Sequence, residues 1–241
     1  MSQQKTIRLL QLYPKDMNIY GDWGNTLVLA RRLERHGLSP ELIEYNVGDA
    51  FPDDIDIIVG GGGQDSGQNI IQNDLQRIGS SLHKLADEGV PMLVICGLYQ
   101  LFGHRFVTAD HTDIPGIGLL DLETVAGPTR LIGNIVTESE EFGTIIGYEN
   151  HSGQTTLGKN VRPLAEVRLG AGNNDHDGHE GARYKNIIGS YLHGSLLPKN
   201  PRIADWMIEQ AATRKFGTFQ PGIIDDTLTE SARQIAMQRS R

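Results

Sequence analysis

The single cysteine of the chain, Cys96, stands where a sequence can build a reactive thiol. It follows the apolar run Pro91-Met92-Leu93-Val94-Ile95 and precedes Gly97 and a short stretch compatible with a helix. A buried strand, a tight turn and a helix in this order form a nucleophile elbow, which lifts a side chain above the carboxyl edge of a parallel sheet. A helix dipole and a nearby histidine can hold the thiol there as a thiolate. The alternative is a small buried hydrophobic residue, the usual fate of a lone cysteine.

Four consecutive glycines at residues 60–63 follow a strand-like apolar run. Because these residues carry no side chains, their backbone N–H groups can approach a ligand closely. The run lacks the ending of a P-loop and the G-x-G-x-x-G spacing of a dinucleotide site, so phosphate binding is disfavoured. We expect instead an oxyanion-hole donor beside Cys96, because loops that leave neighbouring parallel strands meet at one sheet edge. A tight strand-to-loop turn is the alternative.

His193 ends a second apolar run, at residues 187–192, and is followed by Gly194. With an ordinary pKa of about 6.5, a histidine at a strand end can take and return the proton that thiol chemistry moves. A structural histidine is the alternative, and seven other histidines compete for the role. Among them, His176 and His179 lie in a polar stretch without further anchoring ligands, which favours a solvated turn over a metal loop.

The elements that must position these residues alternate over the first part of the chain. Strands are predicted at residues 6–13, 40–45, 55–59 and 92–95, and helices at residues 25–36 and 70–88. This alternation predicts an α/β fold with a mostly parallel central sheet and flanking helices. The second half is predicted to be rich in strands, at residues 131–136, 144–148, 164–169 and 187–192, before closing helices at 201–212 and 225–238. Without an internal repeat or a low-complexity linker, one domain spanning residues 1–241 is expected.

Composition excludes several classes of function. The 241 residues carry a net charge of −8, which disfavours nucleic-acid binding and a polybasic membrane anchor. No apolar run approaches the roughly 20 residues that span a bilayer, and the first residues lack the layout of a signal peptide. One cysteine cannot form an internal disulfide, so a cytoplasmic protein is expected.

Together, these motifs resemble class I, triad-type glutamine amidotransferases. Longer strings narrow the resemblance to the cobyric-acid-synthase-like subgroup, and within it to the glutaminase subunits of lipid II isoglutaminyl synthases. The resemblance runs from about Leu9 to the closing helices. The strings that carry it are Ile95-Cys96-Gly97-Leu98-Tyr99-Gln100, Thr129-Arg130-Leu131-Ile132-Gly133, Phe142-Gly143-Thr144-Ile145-Ile146-Gly147-Tyr148-Glu149-Asn150-His151, Gly172-Asn173-Asn174-Asp175 and Tyr191-Leu192-His193-Gly194.

The resemblance implies a thiol mechanism on L-glutamine. Cys96 attacks the side-chain amide, His193 assists the departure of ammonia, and water releases glutamate from a γ-glutamyl thioester. Backbone N–H groups of Gly97 and of the glycine loop hold the oxyanion, and Arg130 binds the substrate. The implied substrate-contacting set is therefore Arg130, Gly61, Gly62, Gly63, Gly97 and Gln100.

Two positions depart from the family pattern. Ser195 stands two residues after His193, where ordinary triad enzymes carry the Glu that orients the imidazole. The cobyric-acid-synthase branch also lacks this Glu, so the orienting acid is expected elsewhere in this chain or in a partner. Leu98 stands where many relatives have Gly, which keeps the backbone N–H and alters the expected shape of the pocket.

The resemblance also implies a partner. The ammonia would pass to a Mur-ligase-like, ATP-using subunit (MurT) in a heterodimer that converts the D-glutamate α-carboxyl of lipid II to D-isoglutamine in peptidoglycan synthesis. This chain would then hold no cofactor or metal, and ATP would bind in the partner. Three alternatives stay open: a free-standing Cys hydrolase, a glutaminase that serves another synthetase, such as one for cobalamin-type amidation, and a non-catalytic regulatory subunit of a ligase.

Overall fold

The computed structural model describes residues 5–239. The strands in chain order are β1 (Thr6–Leu12), β2 (Ser39–Tyr45), β3 (Ile57–Gly60), β4 (Met92–Ile95), β5 (Arg105–Val107), β6 (Asp113–Pro115), β7 (Leu122–Ser139), β8 (Gly143–Leu157), β9 (Ala165–Leu169), β10 (His179–Glu180), β11 (Ala182–Tyr184), β12 (Ile187–Ser190) and β13 (Leu192–His193). The helices are α1 (Trp23–Arg35), α2 (Asp65–Asp87), α3 (Gly97–Phe102), α4 (Leu196–Lys199), α5 (Pro201–Phe216) and α6 (Thr227–Met237).

The first sheet has the strand order β11-β12-β4-β3-β1-β2 and is parallel except for β11 at its edge. Every residue of β3, β4 and β12 is buried, as expected for parallel strands covered on both faces. The predicted α/β class is therefore confirmed. Because all strands except β11 run in one direction, the loops after β1, β3 and β4 leave at the same edge.

A second sheet is built around a long hairpin of β7 and β8, which pair antiparallel from Leu122–Leu157 to Ser139–Gly143. The predicted strands at residues 131–136 and 144–148 cover only part of these two elements. The pairing register shifts between Ala126 and Leu131, so Arg130 lies in an irregular stretch of β7. Irregularities of this kind re-aim side chains next to functional sites.

The chain crosses from one sheet to the other just before His193. Strand β12 ends at Ser190, and His193 instead pairs with Tyr148 of β8. The predicted continuous strand over residues 187–192 is therefore wrong at its end. The physical reason is that the Tyr191 N–H donates to Oε1 of the buried Glu180 side chain at 2.8 Å and leaves the first sheet's ladder.

Helices α1 and α2 both begin earlier in the chain than their apolar periodicity predicts. Helix α1 begins at Trp23, whose N–H donates to Oδ1 of Asn18 at 2.8 Å. Helix α2 begins at Asp65, and its first turn buries Gly67 and Gln68, two residues that an apolar pattern does not detect. Within residues 5–239, no helix is long and apolar enough to cross a membrane.

Candidate active site

Cys96 occupies the predicted turn between β4 and α3. Its φ of 49° and ψ of −102° lie in a region that residues with a side chain rarely adopt, and such strain concentrates at functional sites. Its N–H donates to the Ser190 carbonyl at 2.9 Å, and its carbonyl accepts the Gln100 N–H at 2.9 Å. The backbone around the thiol is thus fixed from both sides, in the strand–turn–helix geometry of a nucleophile elbow.

The glycine loop, residues 61–63, packs directly against Cys96 and His193. A Cβ on Gly62 would lie 2.8 Å from His193 Cε1 and 3.1 Å from Cys96 Cβ. Only a residue without a side chain leaves room for the two reactive side chains to come together. The expected proximity of the glycine loop, the thiol and the imidazole is present in the structure.

A third side chain completes this cluster, and the sequence did not indicate it. Asp22 is fully buried, and its Oδ2 lies 3.5 Å from Nδ1 of His193. The same oxygen accepts the N–H of Gly62 at 2.8 Å, which holds the carboxylate in place. A carboxylate on Nδ1 orients an imidazole so that Nε2 faces the nucleophile, the role that an acid plays in a triad. The orienting acid is thus available within this chain.

The charges of the three groups favour one another. Burial lowers the pKa of His193, but the Cys96 thiolate and the Asp22 carboxylate together raise the pKa well above its usual value. A protonated imidazole beside a sulfur atom stabilises a thiolate, which is the nucleophilic form of a cysteine.

Ser195 has a different role from the Glu that it replaces. Its hydroxyl donates to the Gly21 carbonyl at 2.8 Å and so ties the segment after His193 to the residue before Asp22. The acid beside His193 is Asp22, in the loop between β1 and α1, and the Ser195 hydrogen bond holds that loop in place. Tyr20, in the same loop, packs its ring 4.4 Å from the His193 ring, measured between centroids.

Cys96 opens into a cleft of about 370 Å³ that is large enough for an amino acid. Arg130 lies on its wall, where Nε donates to Asn150 Oδ1 at 2.6 Å and Nη2 donates to the Tyr20 hydroxyl at 3.0 Å. No Asp or Glu within residues 5–239 forms an ion pair with Arg130, so its charge is available to an anion. A fixed guanidinium suits a carboxylate, as the prediction for Arg130 requires.

Gln100 lines the cleft but is held by a buried hydrogen-bond chain. Its Oε1 accepts from Gln68 Nε2 at 2.8 Å, and its Nε2 donates to the Tyr191 hydroxyl at 3.1 Å. The predicted contact of Gln100 with the substrate stays a prediction. What the structure shows is a rigid floor under the thiol, because Gln68 Nε2 also donates to the Gly97 carbonyl at 3.1 Å.

The three loop glycines that were predicted as a group differ from one another. The N–H of Gly62 is donated to Asp22, so Gly62 acts here as a spacer that anchors the acid, and its predicted role as an oxyanion donor stays a prediction. Gly61 does not line the cleft and packs on Met17 and Asp22. Gly63 does line it, and its backbone nitrogen lies 3.2 Å from where a Cβ of Gly97 would stand. Gly63 and Gly97 are therefore the candidate donors.

Two further residues, His151 and Leu98, differ in whether they line the cleft. His151 lines it from β8, although the sequence showed no strand leading into it; its ring stacks on Tyr191 with centroids 3.6 Å apart. Burial lowers the pKa of His151 to about 4, so this imidazole is neutral near pH 7. Leu98 is fully buried against Gly60 and does not line the cleft, so the substitution at this position leaves the lining unchanged.

Comparison with known proteins agrees with this geometry. Residues 8–201 match the CobB/CobQ-like glutamine amidotransferase domain. The chain belongs to this family. Subunit GatD of the glutamine-hydrolysing lipid II isoglutaminyl synthase of Staphylococcus aureus is 40% identical over 225 residues, 93% of this chain and 92% of that protein. The Streptococcus pneumoniae GatD is 36% identical over 88% of this chain and 82% of its own length.

More distant relatives and solved structures share the fold. A probable cobyric acid synthase of Methanothermobacter thermautotrophicus is 32% identical over 59% of this chain but only 31% of its own length. A solved glutamine amidotransferase superimposes with a TM-score of 0.57 over 84% of this chain and 98% of its own, at 17% identity. PurLQS from Thermotoga maritima superimposes with a TM-score of 0.58 over 86% of this chain and 98% of its own, at 16% identity. The fold is that of class I glutamine amidotransferases.

Proposed function

We propose that this chain is the glutaminase subunit of a lipid II isoglutaminyl synthase. The observation that carries the proposal is the buried cluster of Cys96, His193 and Asp22, whose Cys96 lines a cleft together with Arg130, a cation without an ion-pair partner in the described residues 5–239. The alignment with the two GatD proteins over most of both chains supports this particular synthase over others.

The geometry suits hydrolysis of a side-chain amide. The Cys96 thiolate attacks the amide carbon of L-glutamine, and the carbonyl electrons move to oxygen. When the tetrahedral intermediate collapses, the C–N bond breaks and His193 gives its proton to the leaving nitrogen, which departs as ammonia. Water then attacks the γ-glutamyl thioester, His193 takes a proton from it, and glutamate leaves as the thiolate is restored.

Two backbone donors are placed to stabilise the oxyanion. Gly97 is the first residue of α3, and the backbone nitrogen of Gly63 lies beside it. Neither N–H group donates to another group within residues 5–239. One such donor is worth about 3 kcal/mol in comparable enzymes. Because the glycine loop and the elbow leave neighbouring parallel strands, the fold itself brings these donors together.

Ammonia released at Cys96 is useful only if it reacts with an electrophile. We therefore expect the chain to work with a second subunit that supplies this electrophile. Both GatD relatives are named as subunits of a synthase. In our proposal the partner is a Mur-ligase-like protein (MurT) that uses ATP to activate the α-carboxyl of D-glutamate in lipid II. The ammonia released at Cys96 then forms D-isoglutamine, and the division of labour leaves this chain without a cofactor.

The experiment is amidation of lipid II by the complex of this chain with its ligase partner, with either L-glutamine or ammonium chloride as nitrogen source. Cys96→Ala is expected to abolish the reaction with glutamine and to preserve the reaction with ammonium. The ammonium reaction is the internal control, because it shows that the complex is assembled and that the ligase is active. Amidation with glutamine by the Cys96→Ala complex would refute the mechanism and favour a regulatory subunit.

The identity of the partner distinguishes the proposed function from the remaining alternative. Cobyric acid synthases align with this chain over about half of its length, so a cobalamin-type synthetase is the alternative. Co-purification of the chain from its own cells with a Mur-ligase-like protein is the expected result. Co-purification with a synthetase of cobalamin side chains instead, with no Mur-ligase-like protein bound, would contradict the proposed pathway and leave the glutaminase chemistry intact.

A further inference from the structure

The cleft above Cys96 has charges of opposite sign on its lining. Among the described residues that line it, Arg130 on β7 is the one Arg or Lys, and Asp65 at the start of α2 is the one Asp or Glu. Both side chains are exposed, and neither forms an ion pair with a residue in the described range 5–239. Because they also do not pair with each other, a gap wider than ion-pair distance separates the two charges.

A ligand with two groups of opposite charge can interact with both residues. A free α-amino acid presents an ammonium and a carboxylate on the same carbon, and these match the carboxylate of Asp65 and the guanidinium of Arg130. The γ-amide at the other end of glutamine would then reach down to Cys96. Charge-assisted hydrogen bonds of this kind are about twice as strong as neutral ones.

Two other side-chain acceptors in the cleft already accept a hydrogen bond. Oε1 of Gln100 accepts from Gln68, and Oδ1 of Asn150 accepts from Arg130. The Nε2 of His151 has no hydrogen-bond partner among the described residues, but this buried ring lies close to the cations His193 and Arg130, which repel an ammonium ion. Among the side chains that line the cleft, the carboxylate of Asp65 is thus the acceptor best suited to an ammonium ion.

We propose that Asp65 binds the α-ammonium group of the substrate and so restricts the site to free L-glutamine. This inference rests on the proposed glutaminase function and adds the group that selects the substrate. It predicts that compounds with the same γ-amide and carboxylate but no α-ammonium bind poorly. Glutamine whose amino group is acylated or lies within a peptide is excluded for the same reason.

The test compares L-glutamine with glutaramate, which keeps the amide and the carboxylate and lacks the ammonium. Ammonia release by the complex of the full chain with its ligase partner is measured for the wild type and for Asp65→Asn. The variant is expected to raise KM for L-glutamine roughly ten-fold, to leave kcat within about two-fold and to leave KM for glutaramate unchanged. The preference for L-glutamine then falls by the same factor.

Two variants control for trivial effects. Asp65→Glu keeps the charge and is expected to retain most of the preference. Asp87→Asn removes a carboxylate from the other end of the same helix, where it pairs with Lys185 outside the cleft, and is expected to behave like the wild type. A general disturbance of the loop would instead raise KM for both substrates equally, and that result would overturn the assignment of Asp65.

The failure of this inference is distinguishable from the failure of the proposed function. If the wild-type complex releases ammonia from L-glutamine and Asp65→Asn keeps the full preference, the inference is wrong and the glutaminase stands. If the wild-type complex releases no ammonia, the proposed function is wrong. Calorimetric binding of L-glutamine and glutaramate to the Cys96→Ala chain then still decides whether Asp65 selects for an ammonium group.

Discussion

Asp22 sits at the point where two interactions meet, since one of its oxygens faces both Nδ1 of His193 and the N–H of Gly62. An uncharged replacement of the same shape keeps the packing and removes the partner of the imidazolium. Without it the pKa of His193 falls, because a neighbouring anion is one of the causes that raise it. The thiolate then loses part of its stabilisation, and the imidazole loses its fixed orientation.

For Asp22→Asn we therefore expect a fall in glutaminase kcat of roughly a hundred-fold. The alkaline limb of the pH–rate profile, which reports loss of the imidazolium proton, should move to lower pH. A pH profile of ammonia release measures both effects. Asp16→Asn, in the same loop but outside the cluster, should leave the profile in place. If Asp22→Asn lost stability but kept the wild-type profile, Asp22 would be only structural.

The reactive residues differ in how far sequence could reveal them. Cys96 and His193 were predictable because each ends an apolar run and is followed by glycine, a local pattern. Asp22 lies in residues 13–22, an irregular segment held by turns, where neither period 2 nor period 3.6 applies. The usable signal was positional: this segment follows a parallel strand, and loops at that edge of a sheet carry functional groups.

At the scale of elements, the glycine loop acts as a spacer between β3 and the reactive pair. A Cβ at Gly62 would stand 2.8 Å from His193 Cε1, closer than real side chains approach, so one of the two reactive side chains has to move. The rigid floor under Cys96 resists that movement, and misplacement of a catalytic group by about 1 Å can cost a hundred-fold in rate.

Gly62→Ala is accordingly expected to lower ammonia release by roughly a hundred-fold while the chain still folds. Circular dichroism and thermal unfolding check the fold, and the glutaminase assay checks the rate. Gly48→Ala is the matched control: its φ of +87° makes alanine cost about 1 kcal/mol of stability, but no atom lies within 4 Å of the new methyl group. An active Gly62→Ala enzyme would show that the loop tolerates a side chain.

The bounds of the strands show how far a hydrophobic pattern can predict an element. The prediction for β4, residues 92–95, matches the structure because all four residues are buried between two helical layers. Strands β7 and β8 are much longer than predicted, at 18 and 15 residues, because their outer parts pair through backbone hydrogen bonds while their side chains alternate between buried and exposed. Strand β7 pairs with β5 at residues 123–125 and with β9 at residues 136–138, and hydropathy does not record that length.

At the scale of the whole molecule, the two sheets are joined beneath the active site by a buried acid. Glu180, on β10 of the second sheet, is fully buried and accepts from the Ser190 hydroxyl at 3.0 Å and from the Tyr191 N–H at 2.8 Å. These donors lie where the chain leaves the first sheet on its way to His193. The contact therefore fixes the crossing that positions the imidazole.

This joint makes stability depend on pH in a defined direction. Burial, with a smaller contribution from Glu149, raises the pKa of Glu180 to about 8, whereas the unfolded chain has the ordinary value near 4.5. Between these two values the folded state holds a proton that the unfolded state releases. The stabilisation is therefore complete below about pH 4.5 and is lost as pH rises towards 8, by up to about 1.4 kcal/mol per pH unit.

Glu180→Gln isolates this contribution, because an amide of the same shape does not titrate. We expect the difference in unfolding free energy between Glu180→Gln and wild type to shift in favour of the variant as pH rises from 5 to 8, approaching 1.4 kcal/mol per unit as an upper limit. Urea titrations at several pH values measure it. His151 has its pKa lowered to about 4 and so has the opposite effect, but it is present in both proteins and cancels in the difference. Glu166→Gln, which removes an exposed carboxyl on the neighbouring β9, is the control variant. A difference for Glu180→Gln that stays constant with pH would mean that the buried carboxyl is ionised in the folded protein.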